Sequence, residues 1–557
     1  MQGSLLFKRR ASEMKENMLQ FKKKLRNEPL LMVLVFTLLT IMTFLIIYPI
    51  ARVVMETNGE IFSQLWTNVR WRNSLVNTVF ITILSTLSST IVAFIFAYTI
   101  ARLDVPCKGL FRIVTLLPIV SPPFIVALSY ILLFGRQGII TNHLLGIPLD
   151  IYGWTGLWAV QTISFFPYAY AVIYGVVKAA SIQMEYAAYN LGATKWQVFT
   201  DVFLKLCRPG IAGGALVVAM SILADFGNPM IIGGNFSVLS TEAYAQMTGW
   251  FDIPAAAMLA TTMLVPALSL FLINRLWVGK RSYVTVTGKD SSLQPYPIAA
   301  WVKWLLFSFC MFVSVVVVLV YGTLVYGAFT TTWGYDWSLT LDNMVYVVGK
   351  QQEITNSIVY AVCAAVGAAL LSVLVAYLVQ RKQFGLNKWM DFLAVLPGAI
   401  PGVFLSLGFA FAFGGDMFSL TGTSLIIILA LMIWNLPTCY SANAAALQQI
   451  GPSIEEASTN LGATGIQTYF KVLLPLVRTS FISSMVLAFL RSVTCLSVVI
   501  FIYSLKTSVG TITIIGLLSN GQWGAASAVT ITLIGIAISV LLLTKLAFRL
   551  GGKTFEI

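Results

Sequence analysis

Few residues in this 557-residue chain have the types and spacing that bond chemistry requires. A phosphate cradle needs Gly-x-x-x-x-Gly-Lys-Ser/Thr between a strand and a helix. Gly552-Lys553-Thr554 supplies the end of that pattern, but Ala547 stands where its first glycine belongs and no strand-like run precedes it. The single histidine, His143, falls in a connection between apolar runs and reads as a loop residue. The six cysteines (Cys107, Cys207, Cys310, Cys363, Cys439, Cys495) are scattered without a CxxC and read as small apolar fillers, not as a disulfide or metal framework. Paired carboxylates, a nucleophile elbow and a metal-spaced cluster are all missing. The chain is therefore expected to catalyse nothing and to bind no metal or cofactor itself.

Two charged residues nevertheless lie inside apolar runs, where an uncompensated charge costs at least ~2.5–3.5 kcal/mol at mid-bilayer. Asp225 falls about two-thirds along one run and Arg491 near the middle of another. Two readings stand. The pair could form a structural salt bridge, or Arg491 with Ser492 and Thr494 could offer donors to an anion or anionic metal complex in a pathway. Gly227, Asn228 and Pro229 predict a break in the helix beside Asp225, exposing backbone polar groups to a cavity. Asp225, Asn228, Arg491, Ser492 and Thr494 are thus the candidate pathway residues.

The elements that must position these residues are set by composition. The chain is 58% hydrophobic and 10% charged, with a mean hydropathy of +0.86, whereas soluble domains carry roughly a quarter charged residues. Apolar runs long enough to cross a ~30 Å hydrocarbon core as helices recur throughout. Twelve are read: Leu30–Val54, Ser74–Ala101, Leu110–Phe134, Thr155–Val177, Gly210–Ile232, Ala256–Val278, Trp301–Phe329, Asn356–Gln380, Met390–Gly414, Ser424–Ala446, Ser480–Tyr503 and Ala526–Phe548. The first is too long for a signal-peptide core and has no small-residue cleavage site after it, so it is expected to remain as a span.

The net charge of +14 raises nucleic acid as a partner, but the distribution of charge argues against it. With the N-terminus placed in the cytoplasm, the basic tail (Lys8, Arg9, Arg10, Lys15, Lys22, Lys23, Lys24, Arg26), the even-numbered connections and the C-terminus hold 28 of the 35 Lys and Arg residues. Only Arg52, Arg70, Arg72, Arg136, Lys350, Arg491 and Lys506 fall elsewhere. This is the positive-inside pattern, with both termini cytoplasmic and a lipid bilayer as the partner of the basic balance.

The chain also repeats itself. Glu185-Tyr186-Ala187-Ala188-Tyr189-Asn190-Leu191-Gly192-Ala193-Thr194 returns 270 positions later as Glu455-Glu456-Ala457-Ser458-Thr459-Asn460-Leu461-Gly462-Ala463-Thr464. Ala97-Tyr98 and Leu117-Pro118 return as Ala376-Tyr377 and Leu396-Pro397 at an offset of 279, and Asn73-Ser74 as Asn356-Ser357. Two diverged copies of six spans each follow, and an even number of spans makes the copies parallel. The expected organisation is a basic tail over 1–29, a first half over 30–278, a linker over 279–300 with Lys280, Arg281 and Lys289, and a second half over 301–557.

Each repeated motif lies between the fourth and fifth spans of its copy, on the side assigned to the cytoplasm. Gly192 and Gly462 sit where a helix would end with a left-handed residue. Thr194 stands three residues before Gln197, and Thr464 three before Gln467, so each pair predicts a capping box that starts a second helix. The small residues Ala187, Ala188, Ala193, Ala457, Ser458 and Ala463 leave one side of the elbow open to a close partner.

These segments resemble the EAA loop of type I ABC importer permeases: Glu, a small pair, then Gly, and Leu-Pro downstream. The second copy continues to Leu474-Pro475, whereas the first has Leu204-Lys205 there. The resemblance covers the chain from about Asn73. It implies an all-α, polytopic, MetI-like type I ABC permease fold in two parallel six-helix repeats. In that family the loop seats in a cytoplasmic ATPase, which would make Glu185, Ala187, Ala188, Gly192, Ala193, Thr194, Glu455, Glu456, Ala457, Gly462, Ala463 and Thr464 the coupling residues. It further implies two ABC ATPase subunits that use ATP and Mg, an extracytoplasmic solute-binding protein, and a bacterial inner-membrane location. Fused halves with Ala224-Asp225-Phe226-Gly227 after the first loop most resemble the ferric-iron group, whose relatives also import phosphonates or sugar phosphates. An ion-driven secondary transporter is the alternative of another class. It would place carboxylates near the midplane, as Asp225 is, but it has no use for a duplicated elbow.

Overall fold

The computed structural model describes residues 29–147, 149–278, 298–382, 385–415 and 419–550. Three expectations lie outside the described residues: the basic tail up to residue 28, the linker residues 279–297 including Lys280, Arg281 and Lys289, and Gly552-Lys553-Thr554.

The first copy opens with α1 (Pro29–Met55), a short α2 (Gly59–Thr67) and the long α3 (Val69–Arg102). A broken segment follows, α4 (Lys108–Val120) and α5 (Phe124–Phe134), then α6 (Trp154–Ala179). The elbow consists of α7 (Ile182–Asn190) and α8 (Lys195–Gln197), and a π turn over Val198–Phe203 leads into α9 (Leu204–Leu223). The copy closes with α10 (Gly227–Ile232), α11 (Leu239–Thr248) and α12 (Ile253–Ile273).

The second copy begins with α13 (Ala300–Ala328) and an antiparallel hairpin, β1 (Thr330–Thr332) with β2 (Asp336–Leu339), in which Thr330 pairs with Leu339 and Thr332 with Asp336. Then come α14 (Asp342–Gly349), α15 (Gln351–Arg381), α16 (Asn387–Val395), α17 (Gly402–Phe413) and α18 (Ser424–Gln448). Its elbow is α19 (Ser453–Asn460) and α20 (Gly465–Thr468), followed by a π turn over Tyr469–Leu473, α21 (Leu474–Val493), α22 (Gly510–Ser519) and α23 (Trp523–Leu550).

Eleven described helical segments are long and apolar enough to cross a membrane, and the pair Asn387–Ala399 and Gly402–Phe413, bent by 112°, brings the total to twelve if it counts as one span. The expected ninth span is therefore a sharply bent element. Its bend falls at Pro397 and Pro401, where proline withdraws a backbone donor and cannot continue a straight helix. The expected third span is also interrupted, at Ser121-Pro122-Pro123, for the same reason. The fifth run ends as a helix at Leu223 and the eleventh at Val493. Asp225 accordingly sits in a break between helices, and Arg491 in the last turn of α21. The break at Asp225 falls beside Gly227, Asn228 and Pro229, where it was predicted, whereas Arg491 lies at a helix end and not near the middle of its run as hydropathy had indicated, because hydropathy continues past the point where helical backbone hydrogen bonding stops.

Two compact units emerge, and they do not follow the sequence halves. One comprises Glu56–Ile354 with Val509–Ala537. Its core stacks Phe96 on Phe166 at 5.3 Å and on Phe111 at 6.0 Å, and the buried Cys310, Val313 and Val317 of α13 join that cluster. The other unit comprises the described residues of 1–55, 355–508 and 538–557. Here α1 packs on α17, with Phe44 edge-on to Phe413 at 5.5 Å. The leading helix of each copy thus belongs to the compact body built mainly by the other copy.

Candidate functional site

Both elbows form as the glycine and threonine spacing requires. Gly192 has φ +86° and Gly462 φ +84°, the left-handed conformation that costs an L side chain and not glycine. Their amides donate to Tyr189 O and Thr459 O, each at 2.9 Å, while those of Ala193 and Ala463 donate to Ala188 O and Ser458 O, each at 3.1 Å. These bonds satisfy helix-end carbonyls that would otherwise lack partners. Thr194 N donates to Gln197 Oε1 at 2.9 Å, and Gln197 N donates back to Thr194 Oγ1 at 3.3 Å. Thr464 and Gln467 repeat both distances. The small residues Ala187 and Ala457 are exposed on the elbows, and Leu191 and Leu461 are each 89% exposed. Such a surface can receive a partner but cannot catalyse.

The acidic residues of the motif divide by environment. Glu185 is half-buried and lies 3.4 Å from the Arg102 guanidinium; Glu455 is half-buried and lies 3.0 Å from that of Arg381. Burial pushes the Glu185 carboxyl above its ordinary range, and Arg102 opposes that shift. Glu456 is exposed. Sequence reading missed both arginines, although a signal was present: each stands four residues after the tyrosine of the repeated Ala-Tyr pair, at the same offset of 279.

The helix breaks that follow the elbows are unlike one another. After α9, the Asp225 carboxylate accepts from Gln161 Nε2 and Asn228 Nδ2, each at 3.0 Å, and from Asn228 N at 3.3 Å. Ser240 Oγ donates to Asp225 O at 3.0 Å, and Gln161 Oε1 accepts from Ser85 Oγ at 2.9 Å. Thr78, Thr82, Gln161, Asp225 and Ser240 help line a cavity with space for about one water-sized particle. In the same unit the fully buried Glu242 pairs with Arg70 at 2.8 Å, a second buried charge that sequence reading missed because no motif marks it. Asp225 and Asn228 are thus hydrogen-bonded to one another in a nest of amides and hydroxyls.

After α21 the chemistry is basic. The Arg491 guanidinium donates to Thr438 Oγ1 and lies over the Trp434 ring at 4.4 Å, a cation–π geometry. Ser492 Oγ accepts from Asn435 Nδ2 at 2.9 Å, and Thr494 Oγ1 donates to Leu490 O at 2.9 Å. Arg491 and Asp225 belong to different compact units. No group of three or more His, Cys, Asp or Glu suited to a metal ion occurs among the described residues.

Comparison with known proteins matches both copies. The family described as binding-protein-dependent transport system inner membrane component fits residues 89–282 and again 368–551, each stretch holding one elbow and one break. The chain is 32% identical over 482 residues to the ferric transport system permease protein FbpB of Actinobacillus pleuropneumoniae, covering 84% of this chain and 70% of that protein. It is likewise 32% identical over 449 residues to a putative ferric transport system permease protein of Haemophilus influenzae, covering 78% of this chain and 70% of the relative. The sulfate transport system permease protein CysT of Escherichia coli is 28% identical over 249 residues, 43% of this chain and 90% of its own length. That coverage makes CysT comparable to a single copy.

Proposed function

This chain belongs to the binding-protein-dependent transport system inner membrane component family, and on that premise we propose that it is the fused permease of an ATP-driven importer of ferric iron. It is a multi-pass, non-enzymatic transport subunit. The observation that carries the reading is the duplicated elbow, with one backbone geometry built twice from residues 270 positions apart.

Each elbow serves as a docking surface for one cytoplasmic ABC ATPase subunit. Glu185, Ala187, Ala188, Gly192, Ala193 and Thr194 face one subunit, and Glu455, Glu456, Ala457, Gly462, Ala463 and Thr464 the other. ATP and Mg are consumed by those partners. Closure of the ATPase pair beneath the elbows reorients the spans, and a solute-binding protein on the opposite side delivers cargo. Both termini are placed in the cytoplasm by the distribution of Lys and Arg. Ferric iron is favoured over a phosphonate or sugar phosphate by two relatives named as ferric transport permeases that match across both copies. An ion-driven mechanism leaves the paired elbows without a role.

Co-expression with its ATPase is expected to yield one permease chain with two ATPase subunits by native mass spectrometry, and the permease alone should hydrolyse no ATP. A stable complex with a single ATPase subunit contradicts the reading. Uptake by proteoliposomes supplied with the cognate binding protein, compared for ferric ion, a phosphonate and a hexose phosphate, tests the cargo.

A further inference from the structure

Arg102 and Arg381 end the second spans of their copies, yet neither simply reaches into water. Arg102 Nε donates to Val177 O at 3.1 Å and its NH2 to Ala180 O at 2.6 Å, the closing carbonyls of α6, while the same guanidinium pairs with Glu185 of the elbow. Arg381 donates to Leu447 O at 2.7 Å and to Ile450 O at the end of α18, and pairs with Glu455. Val177 and Ala180 match Leu447 and Ile450 at the same offset of 270 that relates the two glutamates. One arginine therefore ties the end of the second span to the corner where the fourth span passes into the elbow, twice.

The outgoing arm of the elbow is gripped by the same span. Tyr98 lies 5.3 Å from Phe203 and 5.9 Å from Phe199, and Arg102 itself lies over Phe203 at 5.3 Å. In the second copy Tyr377 lies 4.9 Å from Tyr469, the residue 270 positions after Phe199. A planar guanidinium has five donors in a fixed fork, enough for two helix-end carbonyls and a carboxylate at once, and its charge complements the negative end of the helix it caps. A lysine ammonium is a point charge and cannot hold that planar arrangement.

We propose that Arg102 and Arg381 are positioning residues that lock each elbow to the second and fourth spans of its copy, so that a displacement of the elbow moves both spans together. This rests on the reading of the elbows as ATPase-docking surfaces. A purely stabilising ion pair would hold the fold without governing how hydrolysis is converted into transport.

The test compares Arg102→Gln, Arg381→Gln, Arg102→Lys and Arg381→Lys with Lys178→Gln, an exposed charge-loss control. The full chain is reconstituted with its ATPase and binding protein, and the readouts are ATPase co-purification, ATP hydrolysed per ferric ion imported, and amide exchange over residues 182–197 and 453–467. The Gln variants should retain the ATPase, raise the ATP used per ion by about tenfold, and speed exchange of the matching elbow by about tenfold. The Lys variants should fall between, and Lys178→Gln should match the parent. A lowered melting temperature with an unchanged ATP-to-ion ratio would show that the arginines only stabilise. If the Gln variants fail to assemble, the same ratio in the Lys variants decides, and a parental value overturns the proposal. Exchange is measured on the permease alone as well. Absence of ATPase binding in the parent would count against the importer reading, whereas unchanged elbow exchange in the variants would count against the positioning role.

Discussion

At the elbows the two copies are nearly interchangeable, whereas at the helix breaks a few turns away they are chemical opposites. Gly192 and Gly462 differ by 2° in φ, Leu191 and Leu461 are equally exposed, and both capping boxes have the same distances. At the breaks, one copy holds an aspartate among amide donors, and the other an arginine over an indole ring. The position 270 residues after Asp225 is Cys495, and that before Arg491 is Ser221. A surface that meets two like partners must present one shape twice. The breaks carry no such duplicated surface, and there the copies have diverged in charge.

The largest effect is expected where the copies differ. Asp225→Leu removes the acceptor for Gln161 Nε2, Asn228 Nδ2 and Asn228 N and leaves three buried donors without it, which should lower stability by about 2–5 kcal/mol and abolish uptake. Asp225→Asn, which keeps the volume and one acceptor oxygen, should cost less. Thermal unfolding in detergent ranks the two, and equal losses would mean that the amide nest does not depend on the carboxylate.

Where the copies agree, Gly192→Val and Gly462→Val should have matching consequences. A Cβ at either position meets no atom within 4 Å, so the expected penalty is conformational, about 1–2 kcal/mol for a left-handed residue. The chain should still insert, with hydrolysis uncoupled from uptake. Asn, which tolerates this conformation, should retain more coupling at both sites. Uptake at the parental rate in both Val variants would remove the elbows from the coupling path.

The smallest expected effect is an interaction between the two charges. Because Asp225 and Arg491 each have partners within their own unit, the losses from Asp225→Leu and Arg491→Met should add to within about 0.5 kcal/mol in the double variant. Recovery of stability in the double variant would instead show that the charges compensate one another. If stability is additive and the Arg491→Met single variant loses uptake, Arg491 lies in the solute pathway.

Much of this was legible in the sequence because it depends on local rules. Glycine at a left-handed turn and Thr-x-x-Gln at a helix start are satisfied by atoms a few residues apart, so the elbows could be read from spacing alone. The spans were legible for a similar reason, since about twenty apolar residues are long enough to cross the bilayer whatever they pack against. The ends of those spans were less so. Gly227 and Pro229 marked the break beside Asp225, but no glycine or proline marks the helix end at Arg491, where i→i−4 bonding stops without any change in hydropathy.

By itself, then, the sequence determined a duplicated, all-helical membrane chain, the place of each elbow and the geometry that glycine and threonine impose there. Only the tertiary structure decided that the leading helix of each copy belongs to the other copy's compact body, that Asp225 is held by Gln161 from α6, and that Arg102 and Arg381 each tie the second span to the corner before the elbow. Those outcomes depend on contacts between residues far apart in the chain, from 64 positions for Asp225 and Gln161 upward, and apolar helices in lipid choose partners by shape and by the few polar groups they must satisfy, information that no local spacing carries.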